Sequence, residues 1–433
     1  MKTIDVYEYG RLIIDDKVFK REHWNAFVKL NDAHEGQYFD VLHNGLRFKQ
    51  FVGVIQVDGL LVQIHPKADK DDEDGKWRDV LLQMLKACGR VKAQTAGDAQ
   101  LSRQNLNLLE VYFEYFLREV EQLIHQGLVK KYRKETGNVK ALKGKLDFAG
   151  NIRHNLVHKE RFYTMHQVYD ANHRLHQVLA LALEIVDVFS RGTRLNDRCK
   201  RVKLAFPEVD TIRANAAILE SIKLDRKTAP YNRAFDLAKL IILNYSPDIN
   251  EGKNKMIALL FDMNQLWEEY VLVMLRKEIY KNLSTYSNFT IHGQKSKYFW
   301  GYNKLKPDIV IEANNRTFII DTKWKRPGYS ASVEDLRQVY AYARFWDAEN
   351  VMLLYPGNAN NNRQDHYATD DYRKVPDDKE NGIKITHVAH MAFVNVLKEN
   401  PEPYKDGKLR YVLNEKLGEE IMRNLKKQTT KAS

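Results

Sequence analysis

Apolar residues recur at changing intervals along this chain, and the changes divide it into three. Up to about residue 70 they come in short runs: Arg11-Leu12-Ile13-Ile14, Phe51-Val52-Gly53-Val54-Ile55-Gln56-Val57 and Leu60-Leu61-Val62-Gln63-Ile64-His65-Pro66. Such runs predict strands, and Asp58-Gly59 between the last two predicts a tight hairpin. From about 77 to 250 the spacing turns helical, over Trp77 to Ala87, Leu106 to His125, His173 to Phe189 and Arg233 to Leu243. Beyond 251 the two periods alternate. A helix over Met263 to Tyr280 precedes a strand at Phe289-Thr290-Ile291-His292 and strand-like segments at 306–312 and 318–323. After Pro327-Gly328, Ser332 to Ala348 reads as a helix with Glu334 and Asp335 in its first turn, and Val351-Met352-Leu353-Leu354-Tyr355 as a buried strand. A polar insertion from Asn358 to Gly382, an apolar strand from Ile383 to Val396 and a basic, fraying tail from Asn424 to Ser433 complete the pattern. The expected fold is multidomain α/β: a small mainly-β domain (1–76), a helical scaffold (77–250) and a mixed α/β domain (251–433). Asp69 to Gly75 reads as an exposed linker, because its acids lack the loop pattern of a calcium site.

The third part carries the candidate chemistry. In Phe318-Ile319-Ile320-Asp321-Thr322-Lys323, strand alternation turns Asp321 and Lys323 to one side and Phe318, Ile320 and Thr322 to the other. Asn314-Asn315 supplies a turn back to Lys306-Pro307-Asp308-Ile309-Val310-Ile311-Glu312, so antiparallel pairing brings Asp308 beside Asp321. Two carboxylates are the hard oxygen ligands that hold Mg2+ or Mn2+, and a nearby lysine can orient water and offset charge growing on a phosphorane. A solvated surface hairpin would account for the bare spacing as well. Against it stands the position of Asp321 after three apolar residues, where an unpaired carboxylate is costly.

Five stretches stand together in this part of the chain: Phe261-Asp262-Met263-Asn264-Gln265-Leu266-Trp267-Glu268, Lys306-Pro307-Asp308-Ile309-Val310, Ile320-Asp321-Thr322-Lys323-Trp324-Lys325, Gln338-Val339-Tyr340-Ala341-Tyr342 and Leu353-Leu354-Tyr355-Pro356. They resemble the PD-(D/E)xK nuclease superfamily, and the finer pattern is similar to the McrC family, the nuclease subunits of McrBC modified-DNA restriction systems. Weaker likeness runs through Val139 to Phe148 and Tyr169 to Leu175. The resemblance implies a metal-dependent endodeoxyribonuclease with Asp308, Asp321 and Thr322 at the metal, Lys323 as catalytic lysine, and Glu268 and Gln338 as auxiliary residues from two helices. It also implies DNA carrying modified cytosine as substrate and a separate McrB-type AAA+ GTPase as partner, with the N-terminal β domain as the docking element. On residue chemistry alone Glu268 reads equally as an exposed helix acid and Gln338 as a scaffold hydrogen-bonder. A stand-alone sequence-specific restriction endonuclease, or a non-cleaving DNA-binding or motor-activating adaptor, would share these features.

Composition adds bounds. With 433 residues, 44% hydrophobic and 29% charged, the chain can bury sizeable cores. Its 69 Lys and Arg against 57 Asp and Glu give a net charge of +12, which favours an anionic partner. Cations and aromatics interleave at Lys130-Lys131-Tyr132-Arg133 and at Lys143 and Lys145, making these the candidate nucleic-acid contacts; a protein-facing surface would look the same. Lys143-Gly144-Lys145 lacks the other residues of a phosphate-cradling loop. His154, His158, His166, His173 and His176 show no convincing ligand spacing. No apolar run reaches the ~20 residues of a membrane span, no secretory core opens the chain, and Cys88 and Cys199 lie far apart, so a cytoplasmic location is expected.

Overall fold

The computed structural model of the chain describes residues 2–66, 80–90, 107–246, 255–367, 371–373, 383–385, 387–400 and 410–430, except the single positions 16, 315, 326, 328, 329 and 349. The expected linker at 69–75 and about half of the expected insertion at 358–382 lie outside the described residues.

The N-terminal region is β-rich. Strands β1 (Lys2–Tyr7), β5 (Phe51–Val57) and β6 (Leu60–His65) form one sheet, while β2 (Arg11–Ile13), β3 (Phe39–Leu42) and β4 (Gly45–Phe48) form another beside helix α1 (Arg21–Ala33). Asp58 and Gly59 both have positive φ, 42° and 78°, the backbone a two-residue hairpin requires. Phe27 and Leu30 of α1 pack with Phe39, Leu46, Phe48, Ile55, Val62 and Ile64. This helix is absent from the sequence-based expectation. The first sheet also reaches across the expected boundary at 250: β11 (Met256–Asp262) pairs antiparallel along all of β5, and β10 (Tyr245–Ser246) follows it. Gly53 makes that seam possible. Its φ is 140°, and a Cβ there would stand 1.9 Å from the Leu259 carbonyl oxygen.

The central region is helical: α2 (Val80–Ala87), α3 (Leu108–Gln126), α5 (Arg174–Phe189), α6 (Asn196–Ala205), α7 (Ala216–Ser221) and α8 (Asn232–Leu243). Asn107 caps α3 through the Glu110 amide, and Glu110 answers to the Asn107 amide, as a capping box should. Tyr112, Phe113, Tyr115 and Phe116 then enter the main core with α5 and α8, while Arg198 of α6 clamps Glu114 and Glu121. Between α3 and α5 the helical expectation fails. The chain leaves as a ribbon of β7 (Lys131–Val139) and β9 (Phe162–Asp170), with β8 (Lys145–Leu146) and α4 (Phe148–Asn155) at its far end. The alternating positions of β7 are half-buried and exposed rather than buried and exposed, so no apolar period announces the strand.

The C-terminal region is a mixed six-stranded sheet ordered β12-β15-β16-β17-β21-β18. Its strands are β12 (Phe289–Gly293), β15 (Ile309–Ala313), β16 (Arg316–Thr322), β17 (Asn350–Pro356), β18 (Arg363–His366) and β21 (Val388–Val394). Strands β16, β17 and β21 run parallel; β12, β15 and β18 join antiparallel to their neighbours. One face buries Ile309, Ile311, Ile320 and Leu354 with helix α9 (Met263–Lys281); the other buries Val310, Ile319, Val351 and Leu353 with helix α10 (Val333–Trp346). Period-two alternation thus lets one sheet separate two cores. A hairpin of β13 (Lys297–Trp300) and β14 (Asn303–Leu305) projects between β12 and β15, and β22 (Leu397–Asn400) pairs with β23 (Arg410–Leu413). The expected strand from Ile383 to Val396 is two: β20 (Ile383–Ile385), which pairs with β19 (Asp371–Arg373), and β21. The tail is not frayed from Asn424, because helix α11 (Leu417–Thr430) continues to Thr430 and buries Ile421, Met422 and Leu425. Among the described residues no helix is long and apolar enough to cross a membrane.

Candidate active site

The antiparallel register of β15 and β16 pairs Ile309 with Ile320, which sets Asp308, one residue before β15, against the Asp321-Thr322 end of β16. The turn between them holds Asn314 at φ 49°. Thr322 fixes Asp308 twice, its backbone N–H and its hydroxyl both donating to Asp308 Oδ2 at 2.7 and 2.8 Å. Asp321 sits on the α10 face of the sheet, only 1% exposed, with Lys323 Nζ 2.6 Å from its Oδ2. The Lys323 amide donates to the Leu354 carbonyl, which continues the β16–β17 ladder past the end of the strand and fixes where the side chain starts.

Helix α10 completes this arrangement. Gln338 Oε1 accepts from Lys323 Nζ at 3.0 Å, and Gln338 Nε2 donates to Tyr342 OH, one helical turn on, at 2.7 Å. Tyr342 OH in turn donates to the Lys306 carbonyl at 3.2 Å, tying α10 to the segment that leads into Asp308. Asp335, in the first turn of α10, stands 3.6 Å from Lys323 and 2.6 Å from Lys325. Opposite, on α9, Glu268 accepts from Gln294 Nε2 at 2.7 Å, and the Gln294 backbone N–H donates to the Asp308 carbonyl at 2.8 Å. The structure therefore gathers Asp308, Asp321, Thr322, Lys323 and Gln338 into one network and sets Glu268 beside it through Gln294. Asp335 and Gln294 have no site role in the sequence analysis, and Lys325 and Tyr342 enter it only as members of the stretches that carry the resemblance. Asp335 reads there as an acid in the first turn of a helix.

The electrostatics are those of two carboxylates short of positive charge. Burial pushes Asp308 above the ordinary carboxylate range. Burial, then the neighbouring Asp308, carries Asp321 up to about 7. Glu268 is raised by burial and then by Asp308. Burial opposes the charge on Lys323, but Asp321, Asp335 and Asp308 together outweigh it, so the ammonium is held charged more firmly than in water. Asp335 is lowered despite its burial, because Lys325, the Ser332 hydroxyl and Lys323 all favour its ionised form. Among the described residues no three His, Cys, Asp or Glu side chains gather as a ready-made metal site. A pair of carboxylates is the usual protein share of a magnesium site, with water and substrate oxygens as the remainder.

The candidate nucleic-acid residues lie elsewhere. Lys131, Tyr132 and Arg133 are on β7, Lys130 precedes it, Lys145 opens β8 and Lys143 precedes it by two, on a sheet that shares no strand with the one that Asp308 leads into. Arg133 is committed to Asp170 and Glu135, and Lys131 is 3.9 Å from Asp225. Tyr132, 71% exposed, rests on Tyr169. Gly144 serves packing: its φ is 75°, and a Cβ there would meet the Met165 carbonyl oxygen at 2.4 Å. The histidines nearby also pack. His176 bonds the Ala171 carbonyl and Tyr231, with burial pushing it down to about 4, and His173 bonds the Val129 carbonyl.

Comparison with known proteins places the chain. Residues 46–356 match the family described as McrBC 5-methylcytosine restriction system component. The Type IV methyl-directed restriction enzyme EcoKMcrBC of Escherichia coli K12 is 21% identical over 275 residues, covering 58% of this chain and 77% of the relative. Among solved structures, a chain of the half-complex from the tetradecameric assembly of Thermococcus gammatolerans McrB AAA+ hexamers with bound McrC shares the fold. It aligns with a TM-score of 0.62 and 19% identity, covering 91% of this chain and 94% of that one.

Proposed function

This chain belongs to the family of McrBC 5-methylcytosine restriction system components, and we propose that within such a system it is the cleaving, McrC-type subunit: a PD-(D/E)xK endonuclease that hydrolyses modified DNA with Mg2+ or Mn2+. The observation that carries this reading is the pairing of half-buried Asp308 with buried Asp321, with Lys323 Nζ 2.6 Å from Asp321, at adjoining ends of two paired strands. The donor set fits a divalent cation. Both groups are hard oxygen ligands, both are raised by burial, and one lysine offsets only part of their charge.

Asp308 and Asp321 would hold the cation, and Thr322 would act by aiming Asp308 through its two hydrogen bonds. A divalent cation bound there supplies Lewis acidity toward the scissile phosphate. Lys323 works as a cation rather than a proton acceptor, because its carboxylate neighbours keep it charged. Held between Asp321, Asp335 and Gln338, its ammonium is placed to orient an attacking water and to stabilise charge developing on the phosphoryl oxygens. Lys325 binds the other oxygen of Asp335 and so weakens the pull of Asp335 on Lys323.

In this reading an AAA+ GTPase of the McrB type is the partner, as the complex containing the structural relative suggests by analogy. The docking element is better sought on the ribbon than on the N-terminal sheet. The far end of the ribbon exposes Phe148, Leu156 and Val157 at 70% or more, apolar side chains that a partner could cover. Deleting residues 1–76 would not test docking, because it strips β5 from β11 and opens the main core. The direct test is cleavage of 5-methylcytosine-containing and unmethylated DNA by the purified chain, with and without the GTPase, GTP and magnesium. Cleavage of methylated DNA only in the complete mixture supports the two-subunit reading. Specific cleavage by the chain alone would make it a stand-alone endonuclease, and no cleavage in any mixture would make it an adaptor.

A further inference from the structure

The hairpin of β13 and β14 exposes aromatic side chains on both faces: Tyr298 is 64%, Phe299 52%, Trp300 78% and Tyr302 97% exposed. A two-stranded hairpin with this much apolar surface in water would be marginal by itself. It is nevertheless anchored. Phe299 packs edge-on against Phe345 of α10 at 5.4 Å, and Lys297 donates to the Phe345 carbonyl at 2.7 Å while lying over the Trp346 ring. A register break between Tyr298 and Trp300 bulges the strand at Phe299, and Gly301 turns it at φ 53°. Tyr298, Trp300 and Tyr302 remain outward on a fixed base.

Both legs of the hairpin begin at the carboxylates. The residue three before β13, Gln294, holds Glu268 with its side chain and the Asp308 carbonyl with its backbone; three residues after β14 comes Asp308 itself. The segment from Lys295 to Lys306 contains four lysines, four aromatics and no acid. Lys304 lies over the Tyr298 ring at 4.8 Å, so cation and aromatic share one surface. We propose that this hairpin is a base-stacking element: Trp300 and Tyr302, flanked by Lys297 and Lys304, hold unstacked bases of DNA next to the phosphate presented to Asp308 and Asp321. Aromatic faces accept any base and lysines neutralise the backbone, the chemistry of single-strand recognition. A protein partner would not require a hairpin free of acids, whereas a phosphate backbone favours one. The inference takes its ligand from the nuclease reading and adds a site to it.

The test is binding of the full-length chain, in EDTA, to a short single strand, a duplex with a central unpaired bubble and the intact duplex, followed by fluorescence anisotropy and by 2-aminopurine placed in the bubble. The wild-type chain should prefer the single strand and the bubble and should quench 2-aminopurine. Trp300→Ala and Tyr302→Ala should each weaken binding to unpaired DNA about tenfold, abolish the quenching and leave the intact duplex within about twofold, with Trp300→Phe restoring most of the loss. An unchanged preference in folded variants overturns the inference. The two readings fail separately: hairpin-dependent binding without cleavage in the complete mixture sinks only the nuclease reading, and normal cleavage with hairpin-independent binding sinks only this one.

Discussion

Replacing Asp321 by asparagine should make the metal-free protein more stable while removing the cleavage activity proposed for it. In the folded chain burial and Asp308 raise this carboxyl from 3.8 to about 7. Below about pH 4 it is neutral whether folded or unfolded, and costs nothing. Between 3.8 and about 7 the unfolded chain releases the proton while the folded chain keeps it, so stability falls as pH rises; above about 7 both forms are ionised and the full cost is present. At about 1.4 kcal/mol per pH unit, that cost is about 4 kcal/mol. Asparagine keeps the shape and removes the charge, but it also takes a carboxylate from Lys323, itself only 20% exposed. The expected net gain at pH 8 is therefore smaller, about 1–2 kcal/mol, and most of it should be gone by about pH 4. Thermal unfolding of both proteins in EDTA across this pH range reads it directly. Adding magnesium should cancel most of this difference: about 10 mM acting on a millimolar site stabilises the wild-type chain by about 1.4 kcal/mol and the variant hardly at all. An Asp321→Asn protein less stable than wild type at pH 8 in EDTA would show that the ion pair with Lys323 outweighs the strain, and the reasoning would fail.

Other consequences follow from the same geometry. Thr322→Val removes the hydroxyl that holds Asp308 and keeps the backbone bond, so magnesium affinity, followed by calorimetric titration, should fall about tenfold with little change in melting temperature. Magnesium affinity of the wild-type chain should weaken as pH drops below about 7, because the proton on Asp321 competes with the cation. Gly53→Ala should cost about 3 kcal/mol or more in urea unfolding, since its Cβ would stand 1.9 Å from the Leu259 carbonyl oxygen on the strand that joins the N-terminal sheet to the rest.

What could be read from the sequence follows the range of the interactions involved. The β5–β6 hairpin and the β15–β16 pair are local, carried by period-two apolar runs and by turn residues that accept positive φ, and they bring Asp308 beside Asp321 in the structure. The helices α3, α5 and α9 announce themselves by long apolar stripes, with ends displaced by a residue or two from expectation. The pairing of β5 with β11 joins residues some two hundred positions apart, and no local pattern encodes it. The ribbon of β7 and β9 is illegible for a different reason: β7 has no buried position and the buried positions of β9 are the polar Thr164 and His166, so the hydrophobic alternation that marks a strand is missing. Asp335 shows the limit at the site, because a first-turn acid looks the same whether it faces solvent or, as here, two lysines.

The central claim is that the Asp308–Asp321–Lys323 cluster does the cutting while another surface serves the motor. Asp308→Ala, Asp321→Asn and Lys323→Met should each be assayed as folded protein for cleavage of methylated DNA and for stimulation of GTP turnover by the AAA+ partner. Cleavage is expected to fall at least about a hundredfold in each, with GTP turnover near the wild-type value. Parental cleavage by any of the three under saturating magnesium, or loss of GTP stimulation in step with cleavage, would contradict the account.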